Sequence, residues 1–322
     1  MTNENKAVRG LARTLSLVLL AGFAVTSACS EDPIAALPAE PAEMALAGQK
    51  MLDAFGTAPM TQFRNTTFPA LAGLMAGNSP VARIVHDGLV PTAALGKTYT
   101  WNLGTDQYSV SNLTGAPVNG VRFAIYQQAQ GGGGPAVPLV EVATVDFLDI
   151  GTPSALSMGV SVQTPTRTLA QYVLAGTLGA SVVALADGEI QDEAATATQL
   201  TFDINSTSNV NTGTSNNVAD FISADGTRIV YAFNLLQGAS QSSLRVEKGA
   251  TTILFELGNG GTSGTITING TLAANVGPGS ITPVLGSDLS PEDVAALVQM
   301  RQFFVRVPDI TNLVLGPFFH FF

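Results

Sequence analysis

The stretch that decides the fold is FISADGTRIVYAFNL, residues 221–235. Apolar and polar residues alternate after its Asp225-Gly226 pair, and Phe221 stands before the pair. The apolar residues that follow at every second position are Ile229, Tyr231, Phe233 and Leu235. A period of two places these side chains on one face of a strand. An Asp-Gly pair between two such runs is a strong hairpin signal. The stretch therefore predicts an antiparallel hairpin with one apolar face.

The same pattern recurs on both sides of this hairpin. Alternation extends over four steps in residues 156–162, and Lys248-Gly249 separates two further alternating runs. Residues 169–186 fit either a strand buried on both faces or a hairpin that turns at 176–179. We interpret Asp187-Gly188 as a turn, and the polar residues 205–217 as a long exposed loop. The chain then holds about ten short strands, a number and spacing typical of an antiparallel meander.

Helices are predicted at both ends of this meander. Residues 40–55 carry apolar positions at three- and four-residue spacing, and a short helix is plausible over 69–75. Ser290-Pro291 combines a helix cap with a proline at the first helical position. We expect this last helix to end near Val307, because Pro308 follows it. The aromatic tail after it is expected to pack on the sheet or close one end of it.

The predicted fold class is mainly β. We expect an antiparallel meander that forms a curved sheet or open barrel, with flanking N-terminal helices and one C-terminal helix that cover its apolar face. Residues 44–322 form a single β-rich domain in this interpretation. Its helical part covers about 44–96, its meander about 97–286, and its C-terminal helix and tail about 287–322.

The composition excludes one class of partner. The chain has 322 residues, of which 12% are charged, and its formal net charge is −10. Nucleic acid binding needs clustered Lys and Arg, so we expect no nucleic acid partner. Serine, threonine, asparagine and glycine are abundant, as in many secreted β proteins, because threonine suits a pleated surface and glycine suits its turns.

The first 29 residues have the parts of an export signal. Basic residues precede an apolar run at 15–25 (LSLVLLAGFAV), and small residues at 26–28 lead to Cys29, the single cysteine. The basic residues are Lys6, Arg9 and Arg13. The run is too short to span a bilayer, which needs about 20 residues. This arrangement resembles the signal peptide and processing site of a bacterial lipoprotein.

The lipoprotein resemblance implies cleavage after residue 28 and lipidation of Cys29. Residues 1–28 would be the signal peptide and 29–43 a lipidated tether, stiffened by three prolines. The resemblance implies diacylglycerol on the Cys29 sulfur, with the membrane as a partner through that lipid. Ser30 follows the cysteine where an aspartate would retain such proteins in the inner membrane. The expected location is therefore the cell envelope, at the outer membrane.

Residues for catalysis are scarce. The two histidines, His86 and His320, belong to no spaced metal-ligand pattern. No Gly-x-Ser-x-Gly nucleophile elbow occurs, and neither glycine run (131–134 and 258–264) completes a phosphate loop. We therefore predict no cofactor and no enzymatic activity that depends on histidine or cysteine.

Two groups of carboxylates remain as candidates. Glu141, Asp146 and Asp149 lie close together in the chain. A second group of Asp187, Glu189, Asp192 and Glu193 surrounds the predicted turn. Carboxylate pairs can hydrolyse glycosides, and carboxylate oxygens can bind Ca²⁺. A solvated turn is the favoured interpretation of the second group, and a calcium site is the alternative.

Three classes of function are compatible with these features. The first is a non-enzymatic envelope lipoprotein that binds or carries an apolar small molecule, or binds another envelope protein, in the curved sheet. The second is a structural or adhesive surface module, and the third is a carboxylate-based hydrolase. An apolar cavity under the helices would favour the first, a filled core with protruding loops the second, and two carboxylates that converge in a polar cleft the third.

Overall fold

The computed structural model describes residues 41–67, 70–71, 89–131, 134–152, 155–177, 179–191, 197–209, 211–236, 239–258 and 261–321. The leader, Cys29, His86, Asp192 and Glu193 lie outside these residues, as does most of the helix predicted over 69–75. The described residues belong to one compact unit, Pro38–Phe322.

In the described part of the chain, fifteen strands join in one sheet. They are β1 (Lys97–Asn102), β2 (Gln107–Val110), β3 (Gly120–Tyr126), β4 (Glu141–Asp149), β5 (Leu156–Thr164), β6 (Arg167–Thr177), β7 (Ser181–Gln191), β8 (Thr198–Asn209), β9 (Thr214–Ser223), β10 (Arg228–Leu236), β11 (Ala239–Lys248), β12 (Thr251–Gly258), β13 (Ser263–Ile268), β14 (Thr271–Gly277) and β15 (Ser280–Pro283). The number exceeds the ten predicted, mainly because short and polar strands carry a weak hydrophobic pattern.

Helical segments flank the sheet in the chain. They are α1 (Pro41–Phe55), α2 (Ala58–Gln62), a π-helical turn (Phe63–Thr67), a 3₁₀ turn (Thr92–Ala94) and α3 (Pro291–Phe321). The hydroxyl of Ser290 accepts a hydrogen bond from the Asp293 N–H, and the Asp293 carboxylate accepts one from the Ser290 N–H. This reciprocal pair caps the start of α3, as its sequence predicts.

The sheet is a meander with two open edges. Its strand order is β15-β14-β13-β12-β11-β10-β9-β8-β7-β6-β5-β4-β3-β1-β2. Neighbouring strands are antiparallel except β1 and β3, which pair in parallel. Both edge strands, β2 and β15, have only four residues. Short edges reduce pairing with other chains. The mainly-β prediction of an open, curved meander with helices at both ends is confirmed.

The helices cover one face of the sheet, which we call the inner face. The deciding hairpin contributes Phe221 and Ile229, which lie opposite each other on β9 and β10 and are both buried. The Phe55 ring of α1 lies 6.2 Å from that of Phe221, and the Phe304 ring of α3 lies 5.4 Å from that of Tyr231. Strands and helices thus share one hydrophobic core.

The prediction that the last helix ends near Val307 is wrong. Helix α3 continues through Pro308 and Pro317 to its end at residue 321. A proline inside a helix costs about 3 kcal/mol. Burial of Val307, Val314 and Phe318, each at most 1% exposed, offsets this cost at about 1.5–3 kcal/mol per side chain. The tail therefore packs on the sheet as predicted, but as the last turns of a helix.

Two loop predictions are also wrong. Asp187-Gly188 lies in the middle of β7, and most of the polar stretch 205–217 belongs to β8 and β9. Hydroxyl and amide groups support this polar hairpin: the Ser208 hydroxyl donates to that of Ser215 at 3.2 Å. For residues 169–186 the hairpin alternative is confirmed, because β6 ends at Thr177 and β7 begins at Ser181.

Candidate functional site

The space between sheet and helices is filled by side chains. Phe123, Phe147 and Phe255 on the sheet and Phe318 on α3 are all fully buried. Three large clefts instead open at the surface. One crosses the outer face of the sheet, one lies among the helices, and one lies beside edge strand β15. These three clefts are the candidate ligand sites that we compare among the described residues.

The outer-face cleft has a volume of about 620 Å³ and extends from β4 to β8. Strand register explains its lining, because one row of side chains runs across four strands. Leu148 lies opposite Gly159, Gly159 opposite Val173, and Val173 opposite Asp187. Since neighbours in a row share one face of a sheet, the cleft has an apolar part followed by an acidic part.

The cleft owes its depth to Gly159 in the middle of β5. A Cβ at this position would meet Leu148 at 3.5 Å, an ordinary van der Waals contact. By contrast, three other glycines within strands are sterically required: a Cβ at Gly176, Gly188 or Gly264 would overlap neighbouring backbone or side-chain atoms. Glycine weakens a strand interior and often marks close approach of another molecule. The local backbone does not require glycine at position 159. The space left by its missing side chain is therefore a feature of the outer surface.

The acidic part continues past the cleft as a row of three aspartates. Asp187, Asp203 and Asp220 lie directly opposite one another on β7, β8 and β9. Partial burial raises the pKa of Asp203, and the charges of Asp187 and Asp220 raise it further. Asp220 is compensated by Arg228, whose guanidinium binds both carboxylate oxygens, the shortest contact being 2.6 Å. Within the described part of the chain, Asp187 and Asp203 form no ion pair.

The structure brings together two of the four predicted calcium ligands. Asp187 and Glu189 both line the outer-face cleft, from a strand rather than from the turn that we predicted. Glu189 accepts a hydrogen bond from the Thr198 hydroxyl at 2.8 Å. Among the described residues, no three His, Cys, Asp or Glu side chains are grouped to hold a metal ion. The calcium interpretation stays a prediction, because Asp192 and Glu193 lie outside those residues.

The carboxylates of β4 have structural partners. Asp146 accepts two hydrogen bonds of 2.6 Å from Arg122, whose pKa this contact raises despite partial burial of the guanidinium. Asp149 accepts a hydrogen bond of 2.6 Å from the Leu89 N–H and thereby fixes the segment that precedes β1. Glu141 begins β4 and is exposed. These three residues, which we considered as a catalytic group, do not converge on one cleft.

The remaining predicted candidate, His320, lies in the last turn of α3. Partial burial lowers its pKa. It does not line any of the three clefts described above. Its position fits a packing role at the end of the helix.

A helix cleft of about 390 Å³ lies where α1, α2, the π-helical turn and α3 meet. Its rim carries two guanidinium groups, those of Arg64 and Arg306. Its apolar residues are Leu52, Phe55, Ile310 and Leu313. Asp309 also lines the cleft, and its carboxylate lies 3.8 Å from the Arg306 guanidinium. Apolar side chains next to Arg64, which forms no ion pair among the described residues, can accept an anionic amphiphile. The sequence does not predict this cleft, because its lining combines residues of α1 and α3, and local patterns do not show that these two helices are neighbours.

The edge cleft of about 500 Å³ lies beside β14, β15 and the start of α3. It is lined by Leu272 and Leu285, which are 45% and fully exposed. Asp288 and Asp293 also line it, and Asp293 already caps α3. Its lining contains no feature that selects a particular ligand.

The outer-face cleft is the best candidate site because its volume exceeds those of the helix cleft and the edge cleft, and because Asp187 in its lining forms no ion pair among the described residues. Sequence reasoning found Asp187 and Glu189 but missed Gln171, Val173 and Gly159. The one sequence signal for the cleft is Gly159, a glycine inside the alternating run 156–162. The cleft is suited to bind a group with both apolar and polar parts, and its described lining contains neither histidine nor cysteine.

No helix among the described residues is long and apolar enough to cross a membrane. Comparisons with protein-family models, curated proteins and solved structures find no match to this chain.

Proposed function

We propose that this protein is a non-enzymatic binding module of the cell envelope, held at the membrane by lipid on Cys29. Its working surface is the outer face of the sheet, and its partner is another component of the envelope. The observation that carries this proposal is the continuous hydrophobic core between sheet and helices, together with the cleft of about 620 Å³ on the outer face. A packed core is one of the two features expected of the surface module, whereas most of the long loop expected at 205–217 is a polar hairpin.

The anchor part of the proposal rests on the leader. A basic start, an apolar run at 15–25 and small residues before Cys29 resemble a lipoprotein signal, with Thr26 where such signals usually carry leucine. Residues 1–28 hold three basic residues and one acidic residue, so the mature chain would carry a net charge of −12. Such a chain gains little from electrostatic attraction to anionic lipid. A covalent lipid is therefore the simplest means of attachment.

Replacing Cys29 tests the anchor. The Cys29→Ala protein should leave the membrane fraction or remain unprocessed. A matched Ser30→Asp protein should stay lipidated and move to the inner membrane, as the lipoprotein resemblance implies. Fractionation followed by intact-mass measurement distinguishes these outcomes. If Cys29→Ala fractionates and is processed like the wild type, the anchor proposal is wrong.

Lipid extraction distinguishes a surface module from a carrier of apolar molecules. Cys29→Ala protein without residues 1–28 can be purified without detergent, extracted with organic solvent and analysed by mass spectrometry. The module predicts no lipid in stoichiometric amount, because the core holds its own side chains. Recovery of about one apolar molecule per folded protein would favour a carrier instead.

A second candidate function is the binding of an anionic amphiphile in the helix cleft. It is favoured by the guanidinium groups of Arg64 and Arg306 beside an apolar floor. Titration with oleate monitored by calorimetry tests it. The double replacement Arg64→Gln and Arg306→Gln should weaken oleate binding, whereas Arg245→Gln on the outer face should not. Equal oleate affinity in all three proteins would exclude this site.

A further inference from the structure

We propose that the outer-face cleft binds a lysine or arginine side chain from an extended, basic peptide segment of another envelope protein. This inference rests on the proposed function and specifies the chemistry of its partner. It is carried by the row of residues across β4 to β8, where an apolar surface leads directly into Asp187 and Asp203, which form no ion pair among the described residues.

The order of groups along the cleft matches a long cationic side chain. Leu148 and Val173 flank the gap at Gly159, and Asp187 follows Val173 on the next strand. Lysine and arginine place an aliphatic stem on apolar surface and keep the charged head at its polar edge. The stem would lie in the gap at Gly159, and the head would reach Asp187 and Glu189.

The charges favour a cationic partner over a neutral one. Asp187 and Asp203 are directly opposed like charges, a destabilising arrangement on neighbouring strands. On the adjacent strands Arg228 compensates Asp220. A bound cation would neutralise the negative charges of Asp187 and Asp203, as Arg228 neutralises that of Asp220. Complementary charge also steers partners to a surface and fixes their register.

A peptide side chain explains the cleft better than a bare calcium ion. Calcium takes six to eight oxygen ligands. Leu148, Ile150 and Val173 provide apolar surface that a metal ion would not use. A ligand contacts the apolar half of the cleft favourably only if the ligand itself has an apolar part.

The size of the cleft sets the length of the segment. Its lining extends over five strands, β4 to β8, or four spacings of about 4.8 Å, roughly 19 Å in total. An extended chain advances about 3.3 Å per residue, so about six residues cross the cleft. Within such a segment, alternate side chains face the sheet.

The direct test is a titration with a fluorescent decapeptide of alternating lysine and threonine. The protein is the Cys29→Ala chain without residues 1–28, and a glutamate–threonine peptide is the control ligand. The basic peptide should bind, and its affinity should fall as salt is raised from 20 to 150 mM, because salt screens exposed charges. The acidic peptide should not bind.

Variants locate the binding. Combined Asp187→Asn and Asp203→Asn replacements should weaken basic-peptide binding at least tenfold. Gly159→Leu should do the same by filling the gap, with circular dichroism as the check on its fold and Gly159→Ala as a milder variant. Glu256→Gln removes an exposed acid of β12, four strands from β8, and should leave the affinity within about twofold.

Three results would overturn the inference. The first is equal peptide affinity in the wild type and in the cleft variants, and the second is no binding at 20 mM salt. The third is tight binding of Ca²⁺ alone that Asp187→Asn and Asp203→Asn abolish together. The Cys29→Ala fractionation and the lipid extraction do not depend on this peptide. Failure of the titration alone would therefore reject the basic partner and leave the module standing.

Discussion

Gly159 and Gly176 lie on neighbouring strands but on opposite faces of the same sheet. On the inner face, Gly176 lies so close to the Phe318 ring of α3 and to the Val183 carbonyl that a Cβ would overlap both. On the outer face, the space at Gly159 is empty enough for a Cβ to make ordinary contacts. The inner face is thus specified by the protein's own packing. The outer face retains a gap that packing does not require.

Adding one methyl group at each glycine should give the largest contrast. Gly176→Ala should destabilise the protein by about 3 kcal/mol, because the new atom displaces Phe318 or strand β7. Gly159→Ala should be neutral or stabilising by up to about 1 kcal/mol, because glycine weakens a strand interior. Urea unfolding of both variants measures the difference. Equal effects would mean that the two faces are equally packed.

Breaking the ion pair between Arg122 and Asp146 should give the next largest change in stability. Asp146 is buried, and Arg122 is only 21% exposed in its side chain. Arg122→Ala should cost about 2–3 kcal/mol, somewhat less than a fully buried pair, because it leaves a carboxylate without its partner. Replacing both residues, as Arg122→Met with Asp146→Leu, should recover most of the loss. A double variant as unstable as Arg122→Ala would contradict this explanation.

Removing one charge from the aspartate row should stabilise the protein. The pKa of Asp203 is raised in the folded state, so the folded protein binds this proton more tightly than the unfolded chain. The contribution of Asp203 to stability is therefore most favourable below its unfolded pKa of about 3.9 and declines as pH rises through the folded value.

Asp203→Asn should remove that decline and add a few tenths to about 1 kcal/mol near pH 7. The gain should be larger in 20 mM than in 500 mM salt. Thermal unfolding between pH 3 and 7 measures it. The control is Asp220→Asn, which loses the contact with Arg228 and should not stabilise. If Asp203→Asn destabilises at neutral pH, the like-charge explanation fails.

A lysine placed in the cleft should give the smallest stability change. Val173 lies opposite Asp187 and is 41% exposed. Val173→Lys should stabilise by a few tenths of a kcal/mol through a new cross-strand pair. It should also compete with the basic peptide for Asp187. Val173→Met, which fills similar space without charge, is the matched control, and salt titration of the two unfolding curves separates the charge effect.

Much of the fold follows from short-range patterns. The alternation around Asp225-Gly226 identifies a hairpin from local residues alone, and Ser290-Pro291 identifies the start of α3 equally well. The end of α3 does not follow from local rules, because burial of Val307, Val314 and Phe318 together offsets the cost of two prolines. Asp187-Gly188 has the composition of a turn, but its glycine has another role. Gly188 lies opposite Tyr172 on the neighbouring strand, and a Cβ at this position would overlap Tyr172.

The candidate site was only half predictable for the same reason. Asp187 and Glu189 attract notice as acids that are near each other in the chain. Leu148, Gly159 and Val173 are unremarkable in sequence, and strand register alone makes them neighbours of Asp187. The aspartate row likewise combines residues from three strands, so it requires the register of β7, β8 and β9.

Methyl NMR during titration with the lysine–threonine peptide tests the central claim most directly, because it reports both faces of the sheet at once. We predict that the methyl signals of Leu148, Ile150 and Val173 on the outer face shift in proportion to bound peptide. Signals of Ile204 and Leu244 on the inner face should remain unchanged. Shifts confined to the inner face, or to the helix-cleft residues Leu52 and Leu313, would contradict the assignment of the outer face as the binding surface.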